Sequence, residues 1–228
     1  MQDLPGKAIY DFYIKKSKKK LFVHDTFGPK VEMPISMYFR DYIKMPTLEQ
    51  EALDLCKGKI LDIGSAAGSH ALELQRNKHE VFALEISPKA CEVMKNRGVQ
   101  NVICEDFFQF KNQKFDTLLL MMNGIGICGN IDGFKNFLKK ADELLHENGQ
   151  IIFDSCDISY MYEEFEKPEN YFGEARCRYE YSGDFTDWFS WLYIDKETMQ
   201  EIAEEENWNT EIVFEDDSNQ YLAVLSRN

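Results

Sequence analysis

A run of small residues at positions 62–69 is the first part of the sequence that could do chemistry. It reads Asp-Ile-Gly-Ser-Ala-Ala-Gly-Ser, continues the apolar stretch Lys59 to Ile63, and leads into a helical pattern near His70. Small side chains let the backbone come close to a ligand, and the unpaired N–H groups at a helix start attract an anionic group. The segment predicts a turn that holds a ligand against its backbone.

Acidic residues follow at the ends of the next two apolar stretches. Glu85 comes 21 residues after Gly64, close to the offset of about 20 residues at which a carboxylate binds ribose hydroxyls. Asp106 and Phe107 follow the third stretch. A carboxylate there can accept a hydrogen bond from an adenine amino group while apolar atoms cover the base. These positions predict a nucleoside site.

Two kinds of nucleotide-binding loop differ in the spacing of their glycines. Read as GxGxxG from Gly64, the loop has Ala66 and Ser69 where that pattern needs glycine. Read as acidic-x-Gly-x-Gly-x-Gly from Asp62, it departs only at Ala66. That departure matters only if position 66 needs a positive φ, which alanine tolerates poorly. A valine at Gly68 is expected to block the ligand while leaving a cooperative fold.

Five short apolar stretches alternate with helical patterns and must position these residues. The predicted strands are Lys59 to Ile63, Glu80 to Leu84, Asn101 to Cys104, Phe115 to Met121 and Gln150 to Asp154. Strands that alternate with helices form a parallel, doubly wound sheet, whose ligand crevice lies outside the carboxyl ends of the strands. The sequence therefore predicts an α/β fold in which the chemistry follows each strand.

Capping residues and a change of period complete the predicted elements. Thr47 with Gln50 reads as a capping box, and Ser87 as an N-cap before Pro88. Alternating residues at about 174–193 predict an added hairpin, and residues 211–225 predict an antiparallel C-terminal hairpin at a sheet edge.

Composition excludes several function classes. The chain has 228 residues, with 40 Asp and Glu against 26 Lys and Arg, so its formal net charge is −14. Such acidity disfavours binding to a phosphate backbone. The cysteine and histidine spacings match no metal site, so no metal is expected, and free thiols predict a reducing cytoplasm. No apolar run approaches the roughly 18 residues of a membrane span.

The chain resembles the class I S-adenosylmethionine-dependent methyltransferases over roughly residues 47–155, and we expect the likeness to continue to the C-terminus. The match rests on the loop after the first strand, on Leu84-Glu85-Ile86-Ser87-Pro88, and on Glu105-Asp106-Phe107. Residues 144–152 are similar to the family's Leu-x-Pro-Gly-Gly turn, although they lack its Pro and second Gly. The resemblance implies a Rossmann-like sheet and S-adenosylmethionine as the cofactor.

The resemblance also implies roles for individual residues. Those expected to bind the cofactor are Asp62, Gly64, Ser65, Ala66, Gly68, Glu85, Ile86, Asp106, Phe107, Met122 and Asn123. Asp62 would lie near the amino-acid end, Glu85 would hold the ribose, and Ile86 would pack on the adenine. The backbone at Met122 and Asn123 would face the methionine portion and the sulfonium.

The methyl acceptor and the catalytic residues are less well defined. We find no compelling general base. His70, at the start of the helix after the glycine loop, is a candidate to approach the site, but a role outside the site is favoured. The loop after the fourth strand lacks the Asn-Pro-Pro-aromatic tetrapeptide that accompanies methylation of nucleobases or protein amides. Together with the acidity, this favours a small-molecule acceptor over nucleic acid.

The segment Met33 to Arg40 precedes every predicted strand and is expected to form a lid that brings Tyr38 and Arg40 to the acceptor. The predicted organisation is thus a lid or substrate-side segment at 1–46 and a methyltransferase-like domain at 47–228. The hairpin aromatics favour ordinary packing, with a wall of the acceptor site as the alternative; they are Tyr179, Tyr181, Trp188 and Trp191.

Two other functions remain open from the sequence. A non-catalytic cofactor-binding or interaction module would keep the fold without turnover. A nicotinamide-dependent oxidoreductase would share the acidic residue at 85 but lacks two loop glycines and a Tyr-x-x-x-Lys pair.

Overall fold

The computed structural model describes residues 2–26, 28–162 and 168–227. Its helices are α1 (Leu4–Lys15), α2 (Thr47–Asp54), α3 (Ser69–Arg76), α4 (Pro88–Arg97), α5 (Ile131–Leu144) and α6 (Lys196–Glu205). Its strands are β1 (Leu21–Asp25), β2 (Val31–Met33), β3 (Lys59–Ile63), β4 (Glu80–Glu85), β5 (Asn101–Cys104), β6 (Phe115–Leu120), β7 (Leu145–Cys156), β8 (Glu174–Tyr181), β9 (Asp184–Phe185), β10 (Phe189–Leu192), β11 (Trp208–Glu215) and β12 (Gln220–Arg227).

The larger sheet has seven strands in the order β11-β12-β7-β6-β3-β4-β5. Strands β3 to β7 pair in parallel, whereas β12 pairs antiparallel with β7 and with β11. The predicted doubly wound sheet and its C-terminal antiparallel hairpin are therefore confirmed. Because the strand order reverses between β3 and β6, the crevice opens at their carboxyl ends.

Helices cover both faces of this sheet, which explains why its central strands are mostly apolar. Five of the six residues of β6 are fully buried, and α5 turns one apolar stripe onto the sheet. Helix α4 begins as predicted: the Ser87 side chain accepts from the Ala90 N–H at 3.0 Å, and Pro88 follows at the first helical position. Gly98 ends that helix in the left-handed conformation.

A second, smaller sheet has the order β10-β8-β1-β2, with β9 paired to β8. The predicted hairpin at 174–193 supplies β8, β9 and β10. Strand β1 pairs antiparallel with β8, so that Leu21 lies opposite Tyr181. The N-terminal residues therefore belong to this sheet, and Met33 is the last residue of β2. The expectation that Met33 to Arg40 precedes every strand was wrong.

Helix α1 anchors the N-terminal segment to the larger sheet's α4. Leu4, Ala8 and Ile9 of α1 share a buried cluster with Val93 of α4. The Asp3 carboxylate caps α1 and accepts from the Ser87 hydroxyl at 2.6 Å. The residues before the first predicted helix are thus packed onto the start of α4.

Two local predictions were wrong. Thr47 is the first helical residue of α2 rather than its N-cap, and Gln50 donates from its side chain to the carbonyls of Tyr42 and Met45 at 2.9 and 3.1 Å. Strand β7 begins at Leu145 rather than Gln150, because its first residues continue directly from α5. Neither difference moves a residue of the predicted site.

Some observations concern the described ranges as a whole. None of the helices there is long and apolar enough to cross a bilayer. The cysteines are free, and the ranges contain no cluster of three or more side chains suited to a metal ion.

Candidate functional site

The loop after β3 presents its backbone to the crevice. The N–H groups of Gly64 and Ser65 both donate to the carbonyl of Leu84, at 2.8 and 3.2 Å, which ties the loop to the end of β4. Gly64 has a φ of +73°, and a Cβ added there would meet no heavy atom within 4 Å. The space beside Gly64 is therefore open, and a ligand can approach the backbone there.

Gly68 serves a different purpose from the one expected. Its φ is +79°, and a Cβ would lie 2.9 Å from both Met94 Cγ and Val99 Cγ2. The glycine lets the loop pack against the end of α4, which is the usual role of the last glycine in such a turn. A valine at 68 would therefore disturb the fold itself, and this contact argues against the expectation that the variant keeps an intact fold.

Ala66 adopts the conformation that the sequence singled out as unfavourable. Its φ is +50°, in the left-handed region. Its backbone N–H donates to Glu85 Oε2 at 2.9 Å. This bond compensates for part of the strain, since an L-residue in this region costs roughly 1–2 kcal/mol.

Glu85 ends β4 and is held in place by two backbone groups. Besides the bond from Ala66, its Oε1 accepts from the Ser87 N–H at 2.9 Å. Burial raises the pKa of Glu85 and the nearby Asp3 adds to the effect, while hydrogen bonds from backbone N–H groups, first those of Ser87 and Ala66, oppose it. A carboxylate offers about four acceptor sites, so two remain for a ligand.

The residues expected around the adenine lie in different environments. Ile86 is 67% exposed, which is unusual for a large apolar side chain directly after a buried strand. Asp106 is half-buried and accepts from the Phe108 N–H at 2.9 Å. Phe107 is buried in the core, with its ring 5.2 Å from that of Phe137. An apolar surface and a carboxylate thus flank the crevice, whereas the Phe107 ring packs inward.

The turn after β6 is strained and firmly held. Met122 and Asn123 have φ values of 61° and 55°. The Asn123 N–H donates to both carboxylate oxygens of Asp154, at 3.0 and 2.9 Å, and its side-chain N–H donates to the Leu192 carbonyl at 3.2 Å. Two successive left-handed residues persist only where the surroundings fix them, and such strain is concentrated at functional sites.

A buried ionic network lies behind this turn and was not predicted. Glu49 forms an ion pair with Arg40, and its Oε2 is 2.9 Å from His70 Nε2. Glu49 and His70 are 6% and 8% exposed. Arg40, which was expected to meet the acceptor, is thus engaged by Glu49.

Asp62 and Asp154 add negative charge to the same network. Burial raises the pKa of Asp62, and it raises that of Asp154 to about 7, with Glu49 adding to the effect. For His70, burial lowers the pKa, but the hydrogen bond to Glu49 and the charge of Asp62 outweigh it, so the net shift is upward. The carboxyl groups of this network therefore favour a positively charged ligand group nearby.

Three buried polar atoms around the strand ends have no hydrogen-bond partner in the described part of the chain. They are Arg40 Nε, Asp62 Oδ2 and Asn123 Oδ1. An unsatisfied buried polar atom costs about 1–3 kcal/mol, so ligand groups that pair with such atoms are favoured. With the open space at Gly64, these atoms fit a cofactor that is apolar at one end and polar at the other.

The smaller sheet covers the carboxyl ends of the larger one. A Cβ at Gly126 would lie 2.1 Å from the Trp191 ring, so the indole rests directly on the loop after β6. The rings of Tyr179 and Phe189 stack at 5.2 Å. Burial and the charge of Glu85 raise the pKa of Tyr38 to about 12. Aromatic residues therefore roof the crevice.

The remaining hairpin aromatics serve the structure. Tyr181 is fully buried and donates to Asp11 at 3.2 Å. The Arg178 guanidinium lies over the Trp188 ring, with its central carbon 4.7 Å from the centre of that ring. For these two residues, the interpretation as packing residues agrees with their contacts.

Sequence reasoning missed Glu49 and Asp154 as members of the site. Asp154 could have been found, because it ends a predicted strand and the same rule identified Glu85. Glu49 gave no signal, since an acidic residue inside a polar, amphipathic helix ordinarily faces solvent.

A doubly wound sheet with an open glycine loop and a carboxylate after the second strand defines a nucleoside-binding α/β protein. A family model described as "Methyltransferase domain" matches residues 56–214. A structure of an S-adenosylmethionine-dependent methyltransferase from Bacteroides fragilis, in complex with S-adenosyl-L-homocysteine, is 38% identical, with a TM-score of 0.92 over 99% of this chain and 94% of that one. The chain therefore belongs to the S-adenosylmethionine-dependent methyltransferases, and S-adenosylmethionine is its cofactor.

Other similarities are more distant or more local. An S-adenosylmethionine-dependent methyltransferase from Clostridium acetobutylicum has a TM-score of 0.60 at 15% identity over 97% of both chains, which reflects the fold alone. A 59-residue segment is 39% identical to an rRNA adenine N-6-methyltransferase from Limosilactobacillus reuteri, and this match covers 24% of each chain. The chain thus spans about a quarter of that curated relative. Because the chain belongs to the methyltransferases, the alternative of a nicotinamide-dependent oxidoreductase has no support.

Proposed function

We propose that this protein transfers the methyl group of S-adenosylmethionine to a small-molecule acceptor bound under the smaller sheet. The observation that carries the proposal is the aromatic roof, in which Trp191 rests on Gly126 and Asn123 is tied to Leu192. A roof so close to the strand ends suits a compact acceptor. The formal charge of −14 repels a phosphate backbone.

The proposed cofactor site follows the strand ends. The backbone at Gly64 and Ser65 would line the cofactor, and the two free acceptor sites of Glu85 would take the ribose hydroxyls. Ile86 would cover the adenine, with Asp106 at its edge. The carboxylates of the buried network would favour the positively charged amino-acid end. When bound, the cofactor supplies a methyl group on a positively charged sulfur.

The chain's own contribution is alignment and exclusion of water. The turn at Met122 and Asn123 is fixed by Asp154, so its backbone is ready to orient the reacting groups without rearrangement. The roof removes water from the crevice, which strengthens electrostatic interactions there. His70 is engaged with Glu49 through Nε2, and we assign it to positioning rather than to proton removal.

The N-terminal residues 1–46 are proposed as the acceptor side of the site, with 33–40 as a lid. The Tyr38 carbonyl accepts from the Ser69 hydroxyl at 2.8 Å, which places this segment against the start of α3. Phe39 packs between Phe12 and Tyr13 of α1, at ring distances of 5.0 and 5.8 Å. The lid would therefore close against α1, which is itself anchored to α4, while 47–228 would form the methyltransferase-like domain.

A transfer assay tests the proposal. The protein is incubated with S-adenosylmethionine and a panel of small amines, phenols, thiols and carboxylic acids, and in parallel with ribosomal RNA. Formation of S-adenosylhomocysteine and a product heavier by one methylene group, with at least one small molecule, is expected. Transfer to RNA alone would contradict the small-molecule proposal. Cofactor binding without transfer to any acceptor would favour a non-catalytic module.

A further inference from the structure

The guanidinium of Arg97, the last residue of α4, contacts three parts of the chain around the proposed cofactor site. Its Nη1 donates to the carbonyl of Ala67 in the loop after β3 and, at 3.2 Å, to the hydroxyl of Ser69 at the start of α3. The Tyr38 carbonyl accepts a longer bond from Nη1, at 3.4 Å. One side chain therefore joins the loop, the helix that follows it and the segment 33–40.

The Ser69 hydroxyl links Arg97 to Tyr38 a second time. It accepts from Nη1 and Nη2 of Arg97, at 3.2 and 3.3 Å, and donates to the Tyr38 carbonyl at 2.8 Å. A hydroxyl has one hydrogen and two acceptor sites, so the Tyr38 carbonyl takes the hydrogen and the guanidinium faces the lone pairs. The three groups form one network, in which the loss of one partner weakens the others.

The planar shape of the guanidinium serves a further contact. Its central carbon lies 4.9 Å from the centre of the Phe39 ring, the ring that also packs against α1. A guanidinium can stack on an aromatic ring and donate from its edge at the same time, whereas a lysine ammonium is a single point charge. An arginine therefore suits this position, and a lysine would keep the charge but lose the combination.

Apolar packing joins the same three parts of the chain. Tyr38 and Phe39 pack against a buried cluster that contains Ala67 of the loop and Val93 of α4. Ala67 is fully buried. The segment that carries Tyr38 and Phe39 thus rests on the loop, and Arg97 fastens it there.

We propose that Arg97 is a positioning residue that holds the segment 33–40 against the loop after β3 and couples closure of this lid to cofactor binding. The proposal rests on the proposed function, because it takes 33–40 as a lid and the loop as part of the cofactor site. A cofactor that fixes the loop also fixes Ala67 and Ser69 and, through Arg97, the lid. Because such coupling is reciprocal, a lid held by Arg97 raises the affinity for the cofactor.

An arginine that merely stabilises the end of α4 would behave differently. Its replacement would lower the free energy of unfolding but leave the effect of the cofactor on 33–40 unchanged. Arg76 offers a matched control, because it is the last residue of the neighbouring helix α3 and pairs with Glu73 at 3.0 Å on the surface.

Hydrogen exchange and calorimetry together test the proposal. Wild type, Arg97→Lys and Arg76→Lys are measured free and saturated with S-adenosylhomocysteine, after urea unfolding has shown that each folds cooperatively. In the wild type, the ligand should slow amide exchange at 33–40. In Arg97→Lys this slowing should fall below about a third of the wild-type value, and the dissociation constant should rise about tenfold. Arg76→Lys should match the wild type in both measurements.

Ser69→Ala provides a second variant, which removes the hydroxyl between Arg97 and Tyr38 but leaves the bond to Ala67. It should reduce the slowing at 33–40 and raise the dissociation constant less than Arg97→Lys does. In the double variant the two effects should not add, because both changes act on one network. This variant also tests the proposal if Arg97→Lys does not fold.

The contrary results are distinct. Wild-type affinity and full slowing in Arg97→Lys, or in Ser69→Ala if the first variant does not fold, would overturn the proposal. A raised dissociation constant with full slowing would mean that Arg97 supports the loop alone, which overturns its coupling to the lid. Additive effects in the double variant would overturn the shared network. If the wild type binds S-adenosylhomocysteine with equal protection of 33–40 in both states, the lid and its coupling fail, but the cofactor site stands. If the wild type does not bind S-adenosylhomocysteine, the proposed function itself fails.

Discussion

The backbone N–H of Ala66 donates to one carboxylate oxygen of Glu85 at 2.9 Å. The other oxygen is held at the same distance by the N–H of Ser87. The side chain at the end of β4 is therefore oriented by the loop after β3 and by the start of α4. Two of its four acceptor sites are used, and the remaining two are presented in a fixed direction.

The left-handed backbone at Ala66 predicts a stabilising substitution. Ala66→Gly should raise the free energy of unfolding by about 1 kcal/mol, because glycine adopts a positive φ without the strain of a Cβ. Affinity for S-adenosylhomocysteine should be retained, since the N–H that binds Glu85 remains. Urea unfolding and calorimetry measure the two quantities. A decrease in the free energy of unfolding would contradict this account of the loop.

The matched change at Gly64 should act on the ligand as well. Gly64→Ala introduces only a small side chain, but its Cβ enters the open space beside the loop, and the residue must adopt a φ of +73°. We expect a loss of about 1 kcal/mol in the free energy of unfolding, together with a clear loss of cofactor affinity. Normal affinity in this variant would show that the cofactor does not approach position 64.

The raised pKa of Asp154 predicts a stability that falls as the pH rises. Burial raises this pKa from an ordinary 3.8 to about 7, and Glu49 adds to the shift, whereas the Asn123 N–H and His70 oppose it. Between these two values the folded protein keeps a proton that the unfolded chain has released. The free energy of unfolding therefore decreases across this range, by up to about 1.4 kcal/mol per pH unit for one proton.

Asp154→Asn isolates this contribution, because the amide oxygen can still accept from Asn123 but does not titrate. Urea unfolding at pH 5.5, 6.5 and 7.5 should give a smaller decrease for the variant than for the wild type. The raised pKa of His70 acts in the same direction and remains in both proteins. Identical pH dependence in the two proteins would contradict the assignment to Asp154.

The proposed lid at 33–40 should respond to the cofactor. Pro34, Ser36 and Met37 are exposed, and residues 34–40 contain one short 3-10 helix, Ile35–Phe39, and no strand or α-helix. Such segments open readily. Amide hydrogens there should exchange quickly in the free protein and slowly with S-adenosylhomocysteine. Equal protection in both states would mean that the segment is purely structural.

The central sheet was predictable because its signals are local. Lys59–Ile63 and Asn101–Cys104 were predicted to the residue, as short apolar strands bounded by turn residues. Strand β1 gave no such signal, since only Leu21 is buried in it. It exists because it pairs with β8, and a pairing between residues 21 and 181 leaves no local pattern.

The site was predictable to the extent that it follows strand ends. The positions of Asp62 and Glu85 came from that rule, and Asp154 obeys it too. Glu49 became part of the site only through contacts with Arg40 and His70, which tertiary packing creates. The packing role of Gly68 likewise depends on where α4 ends, so the loop motif could not reveal it.

Calorimetric titration of S-adenosylhomocysteine into wild type, Glu85→Ala and Glu80→Ala tests the central claim most directly. Glu80 is exposed at the opposite end of β4 and serves as the matched control. We expect Glu85→Ala to lose about 1–3 kcal/mol of binding free energy, as for a charge-assisted hydrogen bond, and Glu80→Ala to bind like the wild type. Equal affinity in all three proteins would contradict a nucleoside site at the carboxyl ends of the strands.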